Sequence, residues 1–127
     1  MPQTEVLFYC ELDGTAPVLE WLDGLAAKDR RAYSKCVALI ERLEAFGFEL
    51  RRPTADMLRD GVYELRARVG SVSYRLLYFF HGQGVALLAC GLTKEGKVPK
   101  AEIERAIDRK EAYEADPKSH TYKADQQ

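Results

Sequence analysis

A chain of 127 residues, 46% hydrophobic and 31% charged, is long enough to bury a real core as one domain without staples. Its formal charge of -1 excludes the basic composition of a general nucleic-acid binder, and the three scattered cysteines, Cys10, Cys36 and Cys90, exclude a disulfide frame. No apolar run is long enough to span a bilayer and no basic-then-apolar leader opens the chain, so a soluble, cytoplasmic protein without membrane contact is expected. His81 and His120 are the only histidines and have no ligand-like neighbours at metal spacing, so neither a metal nor another cofactor is expected.

In chain order, Glu5 to Cys10 reads as a strand too apolar for a solvated position, which should join the main sheet. Thr15 is a candidate cap and Pro17 suits a first helical turn. The helix after it places Val18, Leu22, Leu25 and Ala26 on one side. Asp29 starts a second helix, in which Ala32, Tyr33, Cys36, Val37, Ile40, Leu43 and Phe46 recur at three- and four-residue steps, and Gly47 ends it. Joined within three residues, these helices form an antiparallel hairpin whose apolar stripe needs a sheet to cover. Leu50 to Leu58 reads as a connecting loop, with Arg51 and Arg52 in water and Met57 and Leu58 against the core.

Tyr63 to Leu92 reads as a three-stranded antiparallel meander. If Gly70-Ser71 is a two-residue hairpin loop, Val69 pairs with Val72 and Arg66 stands directly opposite Arg75. Alternation puts Leu65, Ala67, Tyr74, Leu76, Tyr78, Leu87 and Ala89 on the face for the helical hairpin. Arg66 and Arg75 fall on the other with Leu77, Phe79, Leu88 and Leu92. A basic loop, Thr93 to Lys100, leads to a third helix that Pro99 opens and that runs to about Glu114, covering the apolar end of this second face. The fold expected is α+β, with an N-terminal strand and helical hairpin on a mainly antiparallel sheet and a C-terminal helix. It forms one domain over residues 1–115, with a polar, flexible tail over 116–127.

Charge is distributed unevenly. Residues 1–50 hold five cations against nine carboxylates, net -4, whereas residues 63–110 hold nine against five, net +4. A polyanion should therefore meet the meander, the basic loop and the third helix. Like charges opposed across a strand pair destabilise it, so replacing Arg66 or Arg75 by Ala should leave the fold intact or slightly stabilised. Two guanidiniums on rigid strands, with Arg68 one pleat on, suit an anionic ligand such as phosphate; the alternative is that all three simply face water. Glu64, on the strand face of Arg66, is the carboxylate that the pattern places near the pair. Its structural reading is a surface salt bridge to Arg66 or a lysine.

The order strand, two helices, Tyr63-Glu-Leu-Arg66, Tyr74-Arg75 with Leu77-Tyr78, then Lys94-x-x-Lys97-x-Pro99 and a helix with Ile103, Ala106 and Arg109 resembles the RelE/ParE toxin superfamily. Within it, the pattern is similar to the phage-derived, HigB-like branch of type II toxin–antitoxin toxins. The resemblance spans roughly residues 6–113 and implies a RelE-like fold and a metal-independent, ribosome-dependent mRNA endonuclease that inhibits translation. Its partners would be the ribosome, mRNA and a cognate helix-turn-helix antitoxin, with operator DNA reached only through that antitoxin. Such cleavage needs charge at the phosphate, a proton acceptor and a proton donor. The candidates are Arg66 and Arg75 for charge, Lys94 as acid or base, and Glu64 as the nearby carboxylate, with Arg68, Lys97 and Lys100 holding substrate. The same superfamily leaves two alternatives: a ParE-like gyrase inhibitor, or a weakened toxin acting only as an antitoxin-binding co-repressor.

Overall fold

A computed structural model describes residues 3–93 and 96–123. Five strands form one sheet in the order β1-β5-β4-β3-β2, comprising β1 (Glu5–Phe8), β2 (Ala55–Arg59), β3 (Val62–Val69), β4 (Val72–His81) and β5 (Val85–Thr93). β1 runs parallel to β5 and every other pairing is antiparallel. Helices α1 (Pro17–Lys28) and α2 (Arg30–Phe46) cover one face, and α3 (Lys100–Ala115) covers part of the other. The fold is the expected α+β arrangement. No helix among the described residues is long and apolar enough to cross a membrane.

The helical hairpin is set by a single side chain. Asp29 closes α1 through its backbone N–H and opens α2 by accepting the Ala32 N–H at 3.2 Å, so no linker residue is spare. The cap of α1 is Ala16, not Thr15, and it makes no side-chain hydrogen bond. Pro17 at the first position supplies the stop and start instead. Val18, Leu22, Leu25, Ala32, Cys36, Leu39 and Leu43 pack with Leu65, Leu76, Tyr78 and Leu88 into the larger core. Phe46, expected on that stripe, is about half exposed because α2 ends beside it at Gly47, whose φ of 52° turns the chain away.

Two readings of the sheet require correction. Residues 55–59, read as loop, are the edge strand β2, paired with β3 so that Asp56 lies opposite Glu64. Pro53 stops regular structure only up to Thr54, and Met57 is exposed rather than tucked in. In addition, the face assignment of β5 is reversed for Leu87, Leu88 and Ala89, while Leu92 lies on the α3 side as expected. The ladder slips between Leu77 and Tyr78, so Leu77 pairs with Cys90 but Tyr78 pairs with Leu88. The extra residue, Ala89, is a bulge, and beyond it Leu88 turns to the hairpin side while Leu87 and Ala89 face α3.

The tail was expected to fray from Asp116. Instead Lys118–His120 form a short helix, and Thr121 bridges to Tyr9 beside β1. His120 is buried, pairs through Nδ1 with the Cys10 carbonyl oxygen at 2.8 Å and stacks on Tyr9 at 5.2 Å. The Asp-Pro start marks a helix C-terminus, and it is the aromatic pairing a few residues later that fastens the segment. Burial and then the hydrogen bond to Glu11 push the Tyr9 phenol up to about 12.

Candidate functional site

The register over which the site is built is the expected one: Val69 pairs with Val72, Gly70 takes φ 62° in the turn, and Arg66 lies opposite Arg75. Both side chains leave the sheet on the side of α3, beyond the reach of its apolar cover. There they border a cleft of about 870 Å³ between β2, β3, β4 and the loop before α3. Arg66, Arg68, Arg75 and Lys97 line it together with the carboxylates Asp56 and Glu64, leaving a lining charge of +2.

The two arginines are not equivalent. The Arg75 side chain is 7% exposed and that of Glu64 6%, with Arg75 Nη1 donating to Glu64 Oε1 at 3.2 Å. Its Nη2 donates to the Gly96 carbonyl, and its buried Nε has no acceptor among the described residues. Arg66, by contrast, is 39% exposed in its side chain, and its Nε lies 3.8 Å from Glu64 Oε2. Glu64 thus stands between the opposed guanidiniums and balances one of them. The expected surface salt bridge is a buried one, and its main partner is Arg75.

This arrangement changes what each group has to offer a ligand. Arg75 is a fixed anchor, tying β4 to the loop at Gly96. Arg66 is the guanidinium that faces the cleft with hydrogen-bonding capacity to spare, having one long contact and five N–H donors. Arg68 is exposed, and its Nε donates to the Gly70 carbonyl at 3.1 Å, which holds the side chain along the hairpin. Lys97 is an exposed wall residue, whereas Lys100 begins α3 outside the cleft lining. Lys94 lies outside the described residues. Tyr113 is 4% exposed and packs edge-on against Phe79 and His81, as a core residue.

Sequence reasoning missed the β2 wall. Thr54 and Asp56 line the cleft with Leu58, and Asp56 is 27% exposed in its side chain while pairing with Arg52 at 3.1 Å. The available signal was the alternation Ala55, Asp56, Met57, Leu58, which the preceding proline obscured. Ser73, Val98 and Ile103 complete the lining. The first is buried opposite Arg68 and the other two give the cleft an apolar rim on the α3 side.

Residues 20–111 match the family model described as phage derived protein Gp49-like (DUF891), a span that runs from α1 into α3 and includes every cleft-lining residue. No curated protein is significantly similar to the chain. The chain belongs to the Gp49-like family of phage-derived proteins.

Proposed function

We propose that this Gp49-like protein is the toxin of a type II toxin–antitoxin system, of the HigB-like branch of the RelE/ParE superfamily. Its activity is a metal-independent, ribosome-dependent cleavage of mRNA that stops translation. The observation that supports this reading is the open cationic cleft, in which a buried Glu64–Arg75 pair underlies the accessible Arg66.

In the reaction proposed, a ribose 2′-oxygen attacks the adjacent phosphorus and gives its proton to solvent water, while the bond to the 5′-oxygen breaks and that oxygen takes up a proton from Lys94. The products are a 2′,3′-cyclic phosphate and a 5′-hydroxyl. Negative charge grows on the non-bridging oxygens, and preformed donors aimed at it lower the barrier. Arg66 fills that role, with Arg68 and Lys97 holding neighbouring phosphates. Arg75 and Glu64 are positioning residues, which fix Arg66 from below. Lys94 is assigned as proton donor from its place in the sequence. Both carboxylate oxygens of Glu64 face cations, and this leaves it ill-placed to accept the 2′-proton. Alignment of the nucleotide by the ribosome supplies the orientation that a site so sparing in acid–base groups needs.

The test is induction of the chain alone in a bacterial host, with message 5′ ends and protein synthesis followed together. New 5′-hydroxyl ends within translated messages, absent when ribosomes are withheld in vitro, are the expected result. Intact messages with altered DNA supercoiling would overturn it in favour of a gyrase inhibitor. Intact messages with normal growth would point to an operon co-repressor.

A further inference from the structure

At the edge of the sheet α2 gives way to a short helical turn, Gly47–Glu49, and the chain then leads into β2. Between that turn and the strand lies a groove of about 570 Å³, in which Phe48, Met57 and Tyr63 stand beside Arg51 and Arg52. Met57 lies opposite Tyr63 on the hairpin face, so the groove is across β2 from the cleft. Asp56 lines both, and the two therefore meet at that strand.

Among the described residues four large apolar side chains are exposed, and two of them, Phe48 at 48% and Met57 at 59%, are in this groove. Of the others, Leu12 sits on a turn before α1 and Phe46 has the Arg42 guanidinium over its ring. The Phe48 ring is held in place. It stacks on Phe80 at 3.8 Å between centroids and 28° between planes, and Tyr63 braces Phe80 edge-on at 5.3 Å. With one face on Phe80 and half its surface exposed, the ring presents its other face to solvent. Arg51 Nη1 donates to the Phe48 carbonyl, and its guanidinium forms no ion pair among the described residues.

A fixed ring with an open face and a guanidinium tethered beside it suit an unpaired nucleotide, base on ring and phosphate on cation. Two other occupants fit less well. A strand added to β2 needs free N–H groups on that edge, but those of Ala55 and Met57 are taken by the Arg51 carbonyl at 3.1 Å and the Asp56 carboxylate at 3.0 Å. A second copy seated about a two-fold axis would bring the arginine pairs of the two chains toward each other.

We propose that the groove is a stacking subsite for a nucleotide of the RNA strand that passes through the cleft, with the base on Phe48, its phosphate on Arg51 and the strand turning round β2 at Asp56. The Arg52–Asp56 pair, at 3.1 Å, offsets the carboxylate at that crossing. The subsite rests on the reading of the cleft as an RNA site and adds a contact on the opposite face of the sheet. Every base has a π-face, so the contact strengthens binding without selecting sequence.

The probe is a ten-nucleotide single-stranded RNA carrying 2-aminopurine at each position in turn, titrated with the full chain by anisotropy and by 2-aminopurine emission. At one position the emission should be quenched on binding. Phe48→Leu, which keeps the apolar bulk, should abolish that quenching and weaken binding about tenfold, whereas Phe48→Trp should retain both. An abasic site at the same position should weaken binding to the unaltered chain by a similar factor and have little further effect on Phe48→Leu. Arg51→Ala should lower the slope of log K against log salt by about 0.7, the amount expected for one phosphate contact on a single strand. Affinity that falls with Lys97→Glu in the cleft but is indifferent to Phe48→Leu would overturn the subsite and leave the reading of the cleft standing. Affinity that depends on Phe48 and not on Lys97 would support the subsite and count against the cleft. Self-association that Phe48→Leu abolishes, with no quenching at any position, would assign the patch to a second copy and overturn the proposal, as would an RNA that does not bind at all.

Discussion

Arg109 and Arg75 each meet a glutamate on the α3 face of the sheet, one at each flank, and their surroundings differ in an instructive way. On the β1–β5 flank, Arg109 donates to the Ala89 carbonyl at 2.7 Å, reaches Glu11 at 3.5 Å and lies over the Tyr9 ring. The segment 116–122 closes over this corner, and His120 stacks on the same tyrosine. On the β3–β2 flank, Arg75 holds the buried Glu64 at 3.2 Å and donates to the loop at Gly96, and beside the pair Arg66, Arg68 and Lys97 border an open cleft. The same guanidinium–carboxylate chemistry is absorbed into structure where the tail covers it. Where it borders a cleft it becomes the underpinning of a charged surface. An arginine pair is therefore informative through the cations it leaves over, and not through the pair itself.

The largest effect should come from breaking the open flank at its base. Removing Arg75 leaves a nearly buried carboxylate without its main partner, and uncompensated buried charges of this kind cost about 3–5 kcal/mol. Arg75→Ala should thus lower the urea midpoint steeply. Arg109→Ala should cost less, about 1–3 kcal/mol, because the main group it strands is one carbonyl and Glu11 is 41% exposed in its side chain. Replacing both Glu64 and Arg75 by leucine should recover most of the loss, since a buried ion pair is seldom worth more than apolar packing. If Arg75→Ala proves no more damaging than Arg109→Ala, the two flanks are energetically alike and the comparison fails.

That expectation reverses the one drawn from sequence, and the reason shows what a sequence conveys. The Arg66–Arg75 opposition was legible because a two-residue turn fixes register, and period-two alternation then propagates it without further information. Like-charge relief did not carry over, because it depended on where the Glu64 carboxylate points and how deeply it is buried, which register alone does not decide. The face assignment failed beyond Tyr78 for a related reason. A single bulge at Ala89 inverts the alternation, and no residue type in Leu87-Leu-Ala-Cys90 signals it. β2 was lost to Pro53, a true breaker standing two residues ahead of a strand. The tail was lost because a polar composition hides one aromatic-on-histidine contact.

A smaller effect would sharpen the sealed flank. The Tyr9 phenol is pushed up to about 12 by its burial and then by Glu11, so the folded chain resists its ionisation. The associated stability is complete below the ordinary value near 10 and is lost as pH rises from there toward 12. Two pKa units correspond to at most about 2.7 kcal/mol. His120→Ala removes the stacked cover and should move the Tyr9 titration downward, part of the way to 10. The measurement is the difference in phenolate absorbance against Tyr9→Phe, in each background. An unchanged titration would mean that the tail does not seal this corner.

The smallest effect on stability, and the most telling for function, belongs to Arg66. Its side chain is 39% exposed, its contact with Glu64 is long at 3.8 Å, and it faces another cation across the ladder. Exposed pairs of this kind contribute roughly 0–1 kcal/mol, and loss of the repulsion offsets part of that, so Arg66→Ala should shift the unfolding midpoint hardly at all. Removal of a donor aimed at developing charge typically costs about a hundredfold or more in rate, so ribosome-dependent cleavage should collapse in a fully folded variant. Arg66→Lys keeps the charge but replaces a planar fork with a point ammonium, and it should fall between the two. The split between stability and activity distinguishes Arg66 from Arg75, whose loss should lower both. A variant of Arg66 that unfolds as readily as it loses activity would show that the guanidinium holds the hairpin together, and the site would then have to be sought on another part of the surface.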